Sequence, residues 1–228
     1  MLDLRAGGMG NVPPPLMTGP VDLGPTGCGS GPSAPPSTMI ASGGVPDSTT
    51  VTPGTGAPAD GTKALSQAYE TSTGLPLSTP PGLPPAVAGA IPAPGGVCYT
   101  MAGNAMGVKG VMTAAALQAA ARANSYTTIK VTRDQPHPPA SAIPGATWHT
   151  DSHSGVVSGG TSYDFTQAAT REHQIPATVH ERSLNDVRNA VSLGSGRQPY
   201  KDQDMYIHIP PGQPVPSGYE VGPMVPSK

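Results

Sequence analysis

The sequence predicts a mostly irregular, extended chain of low secondary-structure content, with small α+β elements set between Pro/Gly-rich arms. Three observations predict it. Gly and Pro number 30 each, together 60 of 228 residues, with no collagen-like period, a level associated with low-complexity chains. Apolar residues make up 36% and aromatic residues 4%, with one Phe (Phe165) and one Trp (Trp148), so large core anchors are scarce. The longest stretch free of both Gly and Pro and rich in helix formers lies at the centre of the chain, from Val111.

Residues 1–97 read as an extended arm, holding 18 Pro and 18 Gly in segments such as Val12-Pro-Pro-Pro-Leu16 and Leu75 to Pro85. Proline fixes φ and drives its predecessor into extended geometry, so polyproline-II pieces broken by Gly hinges are the local states expected. One exception is Thr62–Thr71, which suits two or three helical turns with Leu65 and Tyr69 at i, i+4. Scattered apolar residues such as Leu16, Met39, Ile40 and Leu83 read either as parts of a mobile coil or as anchors for pockets on another protein.

Residues 98–134 form the centre of the chain, a helix–strand unit. A helix is predicted over about 111–124 because Val111 to Asn124 is rich in alanine, the best helix former. Thr113 is the expected N-cap, and Asn124 is the expected left-handed closing residue. A strand follows over about 126–132, where Tyr126-Thr-Thr-Ile-Lys-Val-Thr132 is β-branched or aromatic at nearly every position. Thr127, Ile129 and Val131 are expected to meet a helix face made by Met112, Ala116 and Ala119 or Ala120. Ahead of the unit, Gly103, Gly107 and Gly110 argue against a strong helix over 101–110.

Residues 135–160 read as a stiff linker with a short strand at its end, around Gly155–Gly160. Residues 161–209 read as a second small α/β patch. A helix over about 183–193 opens on the capping-box variant Ser183-Leu-Asn-Asp186, places Leu184, Val187 and Val191 on one face, and stops at Gly194. A strand over about 205–209, Met205-Tyr-Ile-His-Ile209, ends at Pro210-Pro-Gly. Residues 210–228 return to Pro/Gly composition.

Charge narrows the function classes. Charged residues are 11% and the formal net charge is −2. Residues 101–228 carry 10 basic and 9 acidic groups, and residues 1–100 carry 2 and 5. Neither half has the clustered Lys and Arg that release counterions from a nucleic acid. Cys28 and Cys98 show no CxxC pattern and no multi-cysteine framework. A disulfide between them is one reading, and two free thiols in a reducing compartment is the one composition favours. The first residues have no basic-then-apolar leader pattern, and nowhere is there an apolar run near 18 residues.

The most suggestive chemical cluster is His149-Thr-Asp-Ser-His153, whose imidazoles and the Asp151 carboxylate would share one face of a strand and offer nitrogen and oxygen donors to a transition metal. The plainer reading is a polar hydrogen-bonding loop. Glu172-His173 and His180-Glu-Arg182 have acid/base chemistry in principle and read as solvated polar faces. No phosphate-binding glycine motif, HExxH or GxSxG is present. The sequence therefore assigns no catalytic, cofactor-binding or metal-ligating residue.

The expectation is a non-enzymatic structural or interaction protein whose arms clamp or cement subunits of a large assembly, a virus particle above all. Its partners would be other protein subunits, possibly copies of itself, in a virion or host cytoplasm and away from membranes. Across the whole chain the Pro, Ala and Ser richness also resembles the proline-alanine-serine-rich proteins that associate with the genomes of capsid-lacking double-stranded RNA viruses of fungi. That resemblance implies the alternative expectation, a nucleic-acid-coating protein.

Overall fold

The computed structural model describes residues 58–168, 174–189 and 202–222. Four helices come first: α1 (Pro58–Thr73), α2 (Pro85–Ala90), α3 (Cys98–Ala105) and α4 (Ala114–Ala123). Seven strands follow, β1 (Thr127–Val131), β2 (Thr147–His149), β3 (Ser154–Ser158), β4 (Thr161–Thr166), β5 (Thr178–Arg182), β6 (Met205–Ile209) and β7 (Glu220–Val221). A 3-10 turn at Ala140–Ala142 precedes β2, and the short helix α5 (Leu184–Asn189) follows β5. The strands make one sheet in the order β5-β4-β3-β2-β6-β1-β7, with every paired neighbour antiparallel.

This α+β fold corrects the expectation of a mostly irregular chain. Helix α1 contains the helical turns expected over Thr62–Thr71 and runs beyond them at both ends, while α2 forms where extended backbone was expected. Pro58 and Pro85 each stand first in their helices, where proline's missing N–H costs nothing and its φ is already helical. The core is built from Ile, Val and Met at alternate strand positions and Leu from outside the strands, with Trp148 and Phe165 fully buried. Few aromatics suffice because small residues let the layers approach. Gly103, expected to weaken a helix, lies inside α3 where a Cβ would stand 2.5 Å from Val111 Cγ2.

Residues opposite one another in an antiparallel pair share a face, so the register sorts the sheet into two sides. On one side Ile129, Val131, Trp148, Val157, Met205, Ile207 and Ile209 pack with Ile143, Ala146 and α5's Leu184 and Val187. On the other, Val156, Tyr163, Phe165 and Val179 pack beneath Tyr69 of α1, Val87 and Ala90 of α2 and Met101 of α3. A third cluster joins α3 to α4 through Cys98, Tyr99, Ala102, Leu117, Ala120 and Ala121.

The centre of the chain folds much as read, with two corrections. Helix α4 starts on Thr113, whose Oγ1 accepts from Ala116 N at 3.1 Å. Thr113→Ala should therefore lower unfolding free energy by about 1 kcal/mol, read as a shifted urea midpoint at unchanged slope. The left-handed residue is Ser125, at φ 58°, rather than Asn124, which instead donates its side-chain amide to Ala120 O at 2.8 Å. Ile129 and Val131 turn away from α4 into the α5 side of the sheet. Of the expected helix face, Met112, Ala116 and Ala119 are exposed, and α4 buries Leu117, Gln118, Ala120 and Ala121. Strand β6 falls at 205–209 as expected. Ser183 caps α5 reciprocally with Asp186: Asp186 N donates to Ser183 Oγ (3.1 Å), and Ser183 N donates to Asp186 Oδ2 (3.3 Å). Val191 and Gly194 lie outside the described residues.

Cys98 is disulfide-bonded, which corrects the free-thiol expectation and removes its support for a reducing compartment. Cys28 lies outside the described residues. Among the described residues no helix is long and apolar enough to cross a membrane.

Both sheet edges have partial cover. Ser78 bridges to Thr178 in parallel, donating its N–H to Ala177 O (2.8 Å) and accepting from Val179 N (2.9 Å). At the opposite edge β7 spans two residues beside β1, and Tyr219 just before it donates its hydroxyl to Pro136 O at 2.9 Å.

Candidate functional site

The His149–His153 segment is a hairpin turn between β2 and β3, not one strand face. Thr150 makes the turn: its N–H donates to His153 O (2.8 Å), while its Oγ1 accepts from Ser152 N (3.3 Å) and His153 N (3.2 Å). Reversal sends the two imidazoles to opposite sides of the sheet. His149 lies on the helix side, where Gln118 of α4 reaches it; His153 lies on the α5 side beside Trp148 and Asp164; Asp151 is exposed at the tip. Among the described residues no three His, Cys, Asp or Glu side chains are grouped to hold a metal ion.

On the α5 side, the strand pairing places Asp164 of β4 opposite His180 of β5 and Gly155 of β3. Its carboxylate is 1% exposed, accepting from His153 Nε2 at 2.9 Å and lying 3.1 Å from Arg182 Nε in an ion pair. Burial raises the Asp164 pKa, but the His153 hydrogen bond and the charges of His153, Arg182 and His180 outweigh it and hold the group below the usual carboxylate range. His180 is lowered mainly by burial, although Asp164 pulls it the other way, and its Nε2 is 3.1 Å from Thr166 Oγ1. Trp148 closes this cluster: its Nε1 donates to the buried Ser162 Oγ at 2.8 Å, and its ring lies edge-on to His153 with centroids 5.7 Å apart. The Trp148 ring lies across Gly155, where a Cβ would stand 2.6 Å from Cζ2.

On the helix side, β1, β6 and β2 line up Thr128, His208 and Thr147 in one row and Lys130, Tyr206 and His149 in the next. His149 and His208 are both 0% exposed and stacked, centroids 5.2 Å apart at 25°, with Tyr206 stacked on His149 at 5.1 Å. Since Thr150 O can only accept, His149 Nδ1 donates to it (3.0 Å), leaving Nε2 as acceptor for the Gln118 amide at 3.4 Å. That assigns a neutral ring. Burial pushes the His149 pKa down to about 4, against the smaller raising effects of the Thr150 hydrogen bond and Asp151. His208 lies well below its ordinary value, from burial and then from His149. Its Nδ1 is 2.9 Å from Thr128 Oγ1, whereas Nε2, Thr147 Oγ1 and Ser154 Oγ are buried with no protein hydrogen-bond partner.

A surface cleft of about 560 Å³ is lined by Thr132, Arg133, Asp134, Asp151, Asp202, Gln203, Asp204 and Tyr206. Asp204 there pairs with Lys130 at 2.8 Å, both about one-third exposed, the kind of contact that adds little stability.

Sequence reasoning missed Asp164, although the alternation Ser162-Tyr163-Asp164-Phe165 already puts it on the face opposite both aromatic rings. It read His180-Glu-Arg182 as solvated; Arg182 instead reaches the buried carboxylate, and Glu181 points the other way, toward Tyr163. His208 was passed over for want of diagnostic spacing, its partner His149 being 59 positions away. Glu172 and His173 lie outside the described residues. No family model, curated protein or solved structure matches this chain.

Proposed function

We propose that the chain is a non-enzymatic assembly protein, a compact sheet core that carries a Pro/Gly-rich strap and joins other protein subunits in a large particle such as a virion. The observation that supports this reading is a change of composition where the described fold begins. Before Pro58, 22 of 57 residues are Gly or Pro, four are charged and none is aromatic; every aromatic residue of the chain lies at Tyr69 or beyond. A segment so poor in bulky and charged side chains has little means of forming a core of its own or of extending itself by repulsion. What its composition offers a partner is isolated apolar anchors. The buried ionic and histidine clusters of the core join strands and helices to one another, which is in keeping with a structural use.

The test is sedimentation of the full chain from its native source, with limited proteolysis of both fractions. Co-sedimentation with a particle, and protection there of sites within residues 1–57 that are cut in the free chain, is the expected result. A chain that sediments alone and is cut alike in every fraction overturns the proposal. Release of the chain by ribonuclease, with retention on RNA that falls steeply with salt, would replace it with the nucleic-acid-coating reading.

A further inference from the structure

We propose that the stacked pair His149 and His208 is an acid-operated latch: charging of the two rings below about pH 6 loosens α4 from the sheet beneath it. The inference goes beyond the assembly role and does not depend on it.

Geometry carries the argument. Both rings are fully buried between the sheet and the helix layer, and they stack on each other with centroids 5.2 Å apart. Two like charges at that spacing in a buried site repel strongly. The described hydrogen bonds and ring contacts of the two imidazoles are to neutral groups. From β6, Tyr206 stacks on His149. From β1, Thr128 contacts His208, and Lys130, beside Tyr206, is engaged by Asp204. Glu220 of β7 pairs in register with Lys130. From α4 comes Gln118, and from α3 the Tyr99 hydroxyl, which donates to Thr150 O. Asp151, exposed in the hairpin turn, favours charge on His149, but burial opposes it more strongly. His153, on the other face of the sheet, has a buried carboxylate 2.9 Å away.

Protonation also reverses a hydrogen bond. His149 Nε2 accepts from Gln118 while neutral and becomes a donor when charged, so the amide that ties α4 to β2 must turn over or let go. Among the described residues, three of the five buried side-chain atoms without a protein hydrogen-bond partner, His208 Nε2, Thr147 Oγ1 and Ser154 Oγ, belong to the helix-side rows of the same strands. Water entering behind a loosened α4 solvates them together with the charged rings, which favours the open state.

The sign is fixed by linkage. Both imidazoles have folded values lowered from the ordinary one, so their contribution to closure is complete above about pH 6.5 and is lost as the pH falls below it. Relative to rings that titrate freely when open, each raises the opening constant about thirtyfold at pH 5, and the pair raises it roughly a thousandfold.

Hydrogen exchange on the full chain, corrected for the intrinsic pH dependence of amide exchange, tests this. Between pH 7.5 and 5.0, protection across residues 114–123 should fall by roughly a thousandfold, while residues 161–166 and 178–182 lose far less. Unchanged protection of α4, or loss of protection in both regions together, overturns the latch. The double variant His149→Gln, His208→Gln should hold α4 protection flat with pH; a pH response equal to that of the native chain overturns the assignment to these rings. Should that variant not fold, imidazole NMR of the native chain decides. Rings that titrate normally near pH 6.5 while α4 stays protected refute the proposal; rings that stay neutral until α4 opens support it.

Discussion

Replacing Asp164 with alanine is expected to lower the unfolding free energy by about 3–5 kcal/mol, the cost typical of breaking a buried pair from one side. The carboxylate accepts from His153, just before β3, and pairs ionically with Arg182 of β5, so its loss strands Arg182 at the face of β5 and removes His153's acceptor. Asp164→Asn should cost less, because an amide oxygen still accepts from His153 Nε2 while the charge facing Arg182 is gone. Urea unfolding at pH 7 of the three proteins measures this; equal midpoints for native chain and alanine variant would show that the network contributes nothing. The acid dependence also has a definite sign. Because the folded carboxyl is held below its ordinary range, its contribution is present above about pH 4 and is lost as the pH falls further. That window lies below the one in which the two stacked histidines act, so one acid titration separates them.

Trp148→Ala should cost a similar amount, about 3–5 kcal/mol, since it empties the largest fully buried side chain in the core and leaves Ser162 Oγ without its donor. The same ring dictates the residue beneath it. At Gly155 a Cβ would lie 2.6 Å from the indole and 2.5 Å from Tyr163 O, so Gly155→Ala is expected to lose about 1–3 kcal/mol or more by overpacking. Combining Gly155→Ala with Trp148→Leu should be less damaging than the sum of the two single changes, because the smaller side chain relieves one of the clashes. The Tyr163 carbonyl is backbone and cannot retreat, so recovery should be partial. Strict additivity of the midpoints would count against direct contact between the two positions.

The elements legible in the sequence were those whose signals are local. The alanine run of α4 and its Thr113 cap, the Ser183–Asp186 box at the start of α5, and the alternation of Met205–Ile209 all lie within a few residues of one another. Strands β2, β4 and β5 were not read, because Thr147-Trp-His149, Thr161–Thr166 and Thr178–Arg182 are largely polar or charged. Their Ser, Thr, His and Asp side chains face inward to partners contributed by distant strands. Low hydrophobicity therefore did not mean absence of a core. The helix at 85–90 and the first turn of the one at 58–73 were obscured differently: Pro85 and Pro58 suggested extended chain, yet each stands first in its helix. Of the candidate cluster, His149, Asp151 and His153 were expected to share one strand face and do not, because Thr150 folds the chain back between them.

The order of the sheet has a consequence for how the protein is made. Strand β6 lies between β1 and β2, and the pair Thr128 and His208 that joins it to β1 is separated by 80 positions. During synthesis, then, β1 and β2 emerge with a vacancy between them that only a strand near the end of the chain can fill. The hairpins β2–β3 and β3–β4 can close as they leave the ribosome, but the two halves of the sheet stay apart until translation has passed Ile209. A ribosome halted shortly before that point would carry a nascent chain with its central gap open and its inward-facing histidines exposed to the cell.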